Sequence, residues 1–302
     1  MVTFFPWKRA LKRKSIWFSG IVLLAMGLIA ALAPVIAPHD PYRWSLTAAH
    51  TNLPPAWVRD AAKPGTMQFP LGTDRFGRDI FSRLIYGTRT AFFLALTAVP
   101  LAAVIGTLLG LIAGYIGGRI DSAIVLFTDM IQSLPSIMFV VIIILIFRTN
   151  LTPTWFHGLL TLVIGFSAVA WVSLTRLIRV NVQILKSKPF IEAAVSLGAS
   201  KREIIFQHLF PNVLNIVLVW VINNIPAVIL LEAVLGYIGV GVTGAVDGSE
   251  FTAVSWGGLF FSGRSAMVRN PTMLIIPSLG IFLLSISFIF LANFLNETLG
   301  LD

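Results

Sequence analysis

Long runs of apolar residues, separated by short polar segments, dominate the chain. A transmembrane helix needs about 20 mostly apolar residues, and six stretches meet that requirement. The third is the least regular, because Asp129, Gln132 and Pro135 interrupt it. We predict spans at Ile16–Ile36, Thr90–Ile116, Ala123–Phe147, Phe156–Thr175, Val213–Gly239 and Thr272–Ala292.

The composition indicates a membrane protein. Of the 302 residues, 57% are hydrophobic and 12% are charged, against about 45–50% and 25% in soluble domains. So few charged groups argue against a soluble enzyme and a disordered chain. The net charge of +9 does not indicate nucleic-acid binding, because the cations lie between apolar runs rather than on one solvated face. The absence of cysteine excludes disulfides and thiolate metal sites.

The charges beside the first span predict the orientation. Five basic residues and no acid lie between Lys8 and Lys14, which places the N-terminus in the cytoplasm. An even number of spans returns the C-terminus to the same side. The first apolar stretch is too long for a typical signal peptide and no small-residue cleavage site follows, so we interpret it as an uncleaved anchor.

The spans divide the chain into three parts. Residues 1–36 comprise the cytoplasmic N-terminus and the first anchor, residues 37–89 an external loop, and residues 90–302 the transmembrane core. Within the core, the basic loop of residues 186–212 joins the fourth and fifth spans and is predicted to be cytoplasmic. The external loop is also basic, but long loops cross the membrane largely regardless of charge. We therefore predict an all-α membrane protein.

The loop of residues 186–212 carries signals for two short helices joined by a tight turn. Pro189 suits the first turn of a helix, and Gly198 suits a left-handed residue that ends it. Ser200 and Glu203 have the spacing of a capping box for the next helix. Pro211 then marks the start of the fifth span. Small residues and apolar anchors in this loop are typical of a helix that docks in a groove of another protein.

This loop resembles the EAA loop of ABC-transporter permeases. In that family Glu-Ala-Ala is followed by three residues, a glycine and, further on, a Leu-Pro pair. Here Glu192-Ala193-Ala194 is followed by Gly198, and Phe210-Pro211 stands in the place of Leu-Pro. The resemblance assigns ATPase coupling to Phe190, Ile191, Glu192, Ala193, Ala194, Gly198, Ser200 and Glu203.

A second block, residues 70–89, resembles the segment before the second span in C-type permeases of dipeptide, oligopeptide and nickel importers. Its apolar residues share one helical face, and Asp79 and Arg83 have the i,i+4 spacing of an ion pair. We predict an amphipathic helix at the outer membrane surface. It serves either as an interfacial anchor or as a contact for a substrate-binding protein, through Asp74, Arg78 and Asp79.

A third match is Ser255-Trp256-Gly257 in the last outer loop. Two stretches depart from the family pattern. The segment Val242–Val254 is longer than usual, and the tail after Ala292 lacks the family's ending. These departures bear on the cargo and the gate rather than on the class of protein.

Several polar or small residues lie within the predicted spans. Gly106, Gly110 and Gly114 form a small-residue ridge for close helix packing. Intramembrane carboxylates are costly and usually face a bundle interior or a wet cavity. Lining of a transport pathway and a paired, structural role are both open for Asp129, Asn224 and Glu232.

The resemblance implies the C-type permease subunit of an ABC importer in a prokaryotic cytoplasmic (inner) membrane. Its implied partners are a homologous B-type permease subunit, two cytoplasmic ATPase subunits and an extracytoplasmic substrate-binding protein. ATP and Mg²⁺ are expected on the ATPase subunits, with no cofactor on this chain. Peptides are the expected cargo; a nickel chelate, glutathione or an oligosaccharide stays open.

Other classes of function fit the sequence less well. A self-sufficient secondary transporter is expected to show discontinuous spans and inverted repeats, and a membrane enzyme a cluster of catalytic groups. The sequence contains no G-x-x-x-x-G-K-[ST] phosphate loop, so we expect no ATP hydrolysis by this chain. The histidines are scattered, and we predict no metal centre.

Overall fold

A computed structural model describes residues 13–43, 47, 49–59, 63–147, 159–241, 254–268 and 270–299. Within these residues, five helices are long and apolar enough to cross a membrane, or six if one bent pair forms a single span. The all-α membrane fold is therefore confirmed. The helices are α1 (Lys14–Ile36), α2 (Ile80–Ile116), α3 (Gly118–Gln132), α4 (Ser136–Phe147), α5 (Leu159–Lys186), α6 (Pro189–Ser196), α7 (Lys201–Tyr237), α8 (Trp256–Gly263) and α9 (Thr272–Leu299).

The third predicted span is not one straight helix. Helices α3 and α4 meet at an angle of 88°, and the break lies at Ser133–Pro135. Proline has no N–H and sterically disfavours a helical conformation of the residue before it. Because Pro135 follows Gln132 so closely, the interruption that the sequence shows becomes an elbow in the structure.

Other span boundaries also differ from the prediction. Helix α2 begins at Ile80, so the predicted surface helix of the external loop is the first part of the second span. Helix α5 continues to Lys186 and α9 to Leu299, beyond the predicted ends. The beginning of the predicted fourth span, at Phe156, and residues 242–253 lie outside the described residues.

Helices α2 and α5 form the most intimate pair in the fold. A side chain at Gly106 would meet the backbone oxygen of Trp171, and one at Gly110 would lie 2.7 Å from the Cβ of Ile178. The same holds for Gly114 against Val182. The glycine ridge therefore packs directly on the backbone of α5, as the sequence predicts. Polar side chains of α5 add bonds across the contact, from Ser167 to the oxygen of Ala98 and from Thr175 to that of Gly106.

Helix α8 was not expected from the sequence, which shows only a loop there. Ser255 caps it by accepting a hydrogen bond from the N–H of Gly258. The indole of Trp256 donates to the backbone oxygen of Leu84 on α2, at 3.1 Å. Gly257 lies so close to Gly236 of α7 that no side chain fits between them. This short helix thus packs against α2, α7 and α9.

The glycine ridge gives the first testable prediction. We expect Gly110→Val to reduce the free energy of unfolding by about 1–3 kcal/mol or more, because overpacking forces α2 and α5 apart. Gly20→Val is the matched control, since a side chain there meets nothing within 4 Å. The measurement is the melting temperature of the detergent-solubilised protein. Equal melting temperatures for the two variants would show that the ridge is not a packing contact.

Candidate functional site

The loop between α5 and α7 folds as its local signals predict. Pro189 occupies the first turn of α6. Gly198 has a φ of +86°, the left-handed conformation that favours glycine. Its neighbour Ala199 donates to the oxygen of Ala194 at 3.0 Å, which satisfies a terminal carbonyl of α6. The sharp turn therefore depends on glycine at position 198.

A capping box begins the next helix. The N–H of Glu203 donates to the hydroxyl of Ser200 at 3.3 Å, and the N–H of Ser200 donates to the Glu203 carboxylate at 2.7 Å. This confirms the predicted cap. The sequence predicts a separate short helix that ends before the fifth span begins at Pro211. In the structure this helix continues without a break through a π-helical turn, Ile204–Leu209, into the fifth span. Such a turn changes the hydrogen-bond register and accommodates an irregularity. The second loop helix and the fifth span are therefore one continuous helix, α7.

The two helices of the loop divide their side chains between the chain's own core and the solvent. Ile191 and Ala194 are buried. The sequence predicts that Ile191 anchors a partner protein. Instead, its buried side chain attaches α6 to the rest of its own chain, and a helix this short needs such a contact to stay in place. Phe190, Glu192 and Ala193 are exposed, as a docking role requires.

The exposed apolar residues of the loop form what we call the coupling surface. On α6 and in the turn after it, Phe190, Val195 and Leu197 are exposed, and Leu197 reaches 89%. Phe206 on α7 is also exposed. Monomeric surfaces rarely leave several large apolar side chains together in water without an interaction partner. The sequence does not single out Val195, Leu197 or Phe206. Which apolar residues of the loop are buried and which are exposed becomes visible only when the turn is folded.

The three predicted pathway residues lie in different environments. The Asp129 carboxylate on α3 pairs with Arg176 on α5, and both side chains are partly exposed. The Asn224 amide on α7 donates to the oxygen of Trp220 at 2.8 Å and is half-buried. Glu232 is buried and accepts a hydrogen bond from the N–H of Gly257 at 3.2 Å.

Glu232 therefore has the geometry of a structural carboxylate, the alternative that the sequence had left open. Its bond to the N–H of Gly257 links the first turn of α8 to α7. A pathway role stays a prediction for Asp129 and Asn224, and the geometry does not favour it for Glu232.

The residues predicted to contact a binding protein are buried. Asp74, Arg78 and Asp79 are each less than a tenth exposed. The Asp74 carboxylate accepts from the N–H groups of Phe76 and Arg78 and from the Arg78 guanidinium, at 2.8–3.0 Å. These side chains consequently hold the external loop together and cannot present their charges to another protein.

Asp79 has a different role from the predicted ion pair with Arg83. It is the N-cap of α2, and its carboxylate accepts from the N–H and the hydroxyl of Ser82, the latter at 2.6 Å. It also contacts Nδ1 of His39 at 3.2 Å. The Arg83 guanidinium instead points to the oxygen of Pro41. Asp79 caps the helix rather than pairing with Arg83 because the cap satisfies N–H groups that otherwise have no partner within the helix.

Within the described part of the chain, no group of three or more His, Asp or Glu residues is arranged to hold a metal ion. The geometry therefore offers a capped, partly apolar docking element joined directly to membrane helices, together with polar groups inside the membrane. These features are compatible with a subunit of a membrane transporter.

Comparison with known protein families identifies the family to which the chain belongs. Residues 106–300 match the family of binding-protein-dependent transport system inner membrane components, and the chain belongs to that family. Residues 6–55 match the N-terminal transmembrane domain of oligopeptide transport permease C. The resemblance to C-type permeases is thereby confirmed.

Relatives are similar over nearly the whole chain. The oligopeptide transport system permease protein OppC of Haemophilus influenzae is 29% identical over 97% of this chain and 88% of its own length. The dipeptide transport system permease protein DppC of the same species is 32% identical over 92% and 88%. The glutathione transport system permease protein GsiD of Pectobacterium atrosepticum is 29% identical over 97% and 89%.

The buried charges of the external loop give the second prediction. We expect Asp74→Ala to destabilise the loop by about 3–5 kcal/mol, because it leaves the Arg78 guanidinium buried without this partner. Limited proteolysis of membrane vesicles measures the effect, and the variant should be cleaved faster within residues 43–79. Asp40→Ala, which changes an exposed carboxylate of the same loop, should be cleaved at the wild-type rate. Equal rates for both variants would contradict the structural role of Asp74.

Proposed function

We propose that the chain is the permease subunit of an ABC importer that carries di- and oligopeptides, in a heterodimer with a B-type permease subunit. A substrate-binding protein delivers the cargo from outside, and two cytoplasmic ATPase subunits supply the energy. The observation that carries this proposal is the coupling surface, four exposed apolar side chains on a firmly capped loop. Similarity to peptide permeases supports the cargo. The glutathione permease among the relatives favours glutathione, itself a peptide, as the second candidate.

The coupling surface fits an ATPase groove by its chemistry and its attachment. Ile191 and Ala194 hold α6 on the chain, so a force on the exposed side is not lost in a flexible loop. Helix α7 is continuous from Lys201 to Tyr237. A displacement at its cytoplasmic end is therefore transmitted along about 55 Å of helix. When ATP closes the ATPase pair, the coupling surface moves with it, and the spans tip from inward-open to outward-open.

The packing of the two ends supports the proposed orientation. Arg13, just before α1, forms an ion pair with Glu297 near the end of α9. The beginning of the first span and the end of the last therefore lie on the same side of the membrane. The basic N-terminal flank assigns that side to the cytoplasm, and the coupling surface belongs there too if it meets cytoplasmic ATPases.

The coupling surface gives the third prediction. In the assembled transporter, Leu197→Glu should reduce ATPase association and peptide uptake about tenfold or more, because a charge then enters an apolar groove. Membrane abundance should be unchanged, since Leu197 is 89% exposed. The measurements are co-purification of the ATPase subunits and uptake in reconstituted vesicles.

The control is Met67→Glu, which changes an 83% exposed apolar residue of the external loop. It should leave both quantities at the wild-type level. Full ATPase association and full uptake by Leu197→Glu would mean that the loop is a passive connector.

The orientation gives the fourth prediction, which uses the absence of native cysteine. In spheroplasts, an impermeant thiol reagent should label Met67→Cys, because residues 37–89 lie outside. Ser200→Cys, in the exposed turn after α6, should be labelled only after permeabilisation. Immediate labelling of Ser200→Cys would invert the proposed topology.

A further inference from the structure

Polar side chains of three different helices form a connected face inside the membrane region. Asp129 on α3 pairs with Arg176 on α5. Ser173 lies one turn away on α5 and accepts a hydrogen bond from the indole of Trp220 on α7, at 3.2 Å. The amide of Asn224 donates to the backbone oxygen of Trp220. We call these five residues the polar face.

The Asp129–Arg176 end of the polar face is open although both residues lie within helices that could cross the membrane. Arg176 is about 15 Å from the end of α5 at Lys186, as measured along the helix axis. The side chains of Asp129 and Arg176 are nevertheless 58% and 41% exposed. The elbow between α3 and α4 continues this exposure, since its residues Gln132–Pro135 are all exposed.

Lipid does not suit such a surface. Ionised side chains and interrupted helices are tolerated at membrane depth only where they meet protein or water. Helix α1 shows the alternative within the same chain, because its exposed side chains are apolar, among them Ile21, Leu24 and Leu28. The exposed ion pair distinguishes the polar face from α1, although exposed apolar side chains such as Phe127 and Met130 lie beside it on α3.

Two ion pairs between α3 and α5 show that the polar face also retains binding capacity. Arg179 holds Asp121 with two bonds, from Nε and a terminal nitrogen to both carboxylate oxygens, and these side chains are 27% and 15% exposed. Arg176 holds Asp129 with one bond to one oxygen. A guanidinium can bind a carboxylate through two parallel bonds. The Asp129–Arg176 pair forms only one, so it leaves donor and acceptor positions open on its exposed side.

We propose that the polar face lines the solute pathway and that the Asp129–Arg176 pair contacts the charged ends of a passing peptide. Arg176 meets the terminal carboxylate and Asp129 the terminal ammonium group, so that each charge of the pair exchanges one partner for another. This proposal rests on the proposed function, because it takes a zwitterionic peptide as the cargo. The Asp121–Arg179 pair, which is held by two bonds and is less exposed, has a structural role beside it.

The first experiment tests whether water reaches the polar face in the complete transporter. Ser173→Cys is introduced into the cysteine-free chain, assembled with the partner subunits and treated with a membrane-impermeant, charged thiol reagent from each side in turn. We expect modification from at least one side in one nucleotide state. Leu24→Cys on α1 should stay unmodified, because it faces lipid.

The outcome distinguishes a pathway from a subunit interface. Modification of Ser173→Cys in the isolated chain but not in the assembled transporter, in any nucleotide state, would show that a partner permease covers the face and would overturn the proposal.

The second experiment tests recognition of the charged ends. Vesicles with the complete transporter take up a free dipeptide, its N-acetylated form or its C-terminal amide, and each rate is normalised to the affinity of the binding protein measured alone. Asp129→Asn should reduce the preference for the free dipeptide over the N-acetylated form about tenfold, since a charge-assisted bond to the ammonium group is lost. Arg176→Gln should reduce the preference for the free dipeptide over the C-terminal amide by a similar factor, since a charge-assisted bond to the carboxylate is lost. Asp121→Asn and Arg179→Gln are the matched controls and should keep the wild-type preferences.

Unchanged preferences in Asp129→Asn and Arg176→Gln would overturn the recognition by the pair. Equal changes in the control pair would do the same, because they would indicate a structural effect. If the wild-type transporter takes up no peptide at all, the proposed cargo is wrong, whereas thiol modification still decides whether the polar face is a pathway.

Discussion

The hydrocarbon of the membrane offers no hydrogen bonds, and the polar groups on the membrane-spanning helices of this chain are subject to that constraint. An unsatisfied backbone or charged group there costs several kcal/mol. Helices satisfy their own backbone, so the chain is helical wherever it is apolar. The groups that helices leave over have to find partners in the same chain, remain at the ends, or meet water. The structure shows the first two solutions, and the third is the one proposed for Asp129 and Arg176.

Close packing of α2 on α5 is the first consequence. Apolar helices gain little from association with each other in lipid, so small residues that permit close contact supply the attraction. The glycine ridge of α2 brings the two backbones together, and Ser167 and Thr175 then reach carbonyl oxygens of α2. Both helices end on the same side, where Lys186 at the end of α5 reaches the backbone oxygen of Tyr115 near the end of α2. Helices α3 and α6 therefore depart from the same end of this pair.

Local signals in the sequence predicted the elements that depend on local chemistry. Gly198 and the Ser200–Glu203 box set the turn of the loop between α5 and α7, because left-handed φ and N-terminal capping are decided within a few residues. The length of each apolar run predicted the spans, because a run of about 20 apolar residues is itself a local signal. The glycine ridge was readable too, since it needs only a helical period.

Features that depend on distant neighbours were not predictable in this way. Asp79 and Arg83 have the spacing of an ion pair, but Pro41 and His39, far away in sequence, change their partners. Ile191 looked like an anchor for another protein, and only the folded loop shows that it points inward. Helix α8 has too short an apolar run to be recognised, and it forms because Trp256 fits beside α2 and Gly257 beside α7.

The carboxylates show how one constraint leads to different roles. Glu232 is buried and accepts the N–H of Gly257 in the first turn of α8, and two bonds to Arg179 hold Asp121, so both are less accessible to a solute than Asp129. Asp129 has the same chemistry and the same kind of partner, yet it remains open. A closed pair stabilises helix packing and has little to exchange; an open pair contributes less to packing and can exchange partners with a charged solute at little net cost in charge. Of the two kinds of pair, the open one therefore fits the proposed contact with a charged solute.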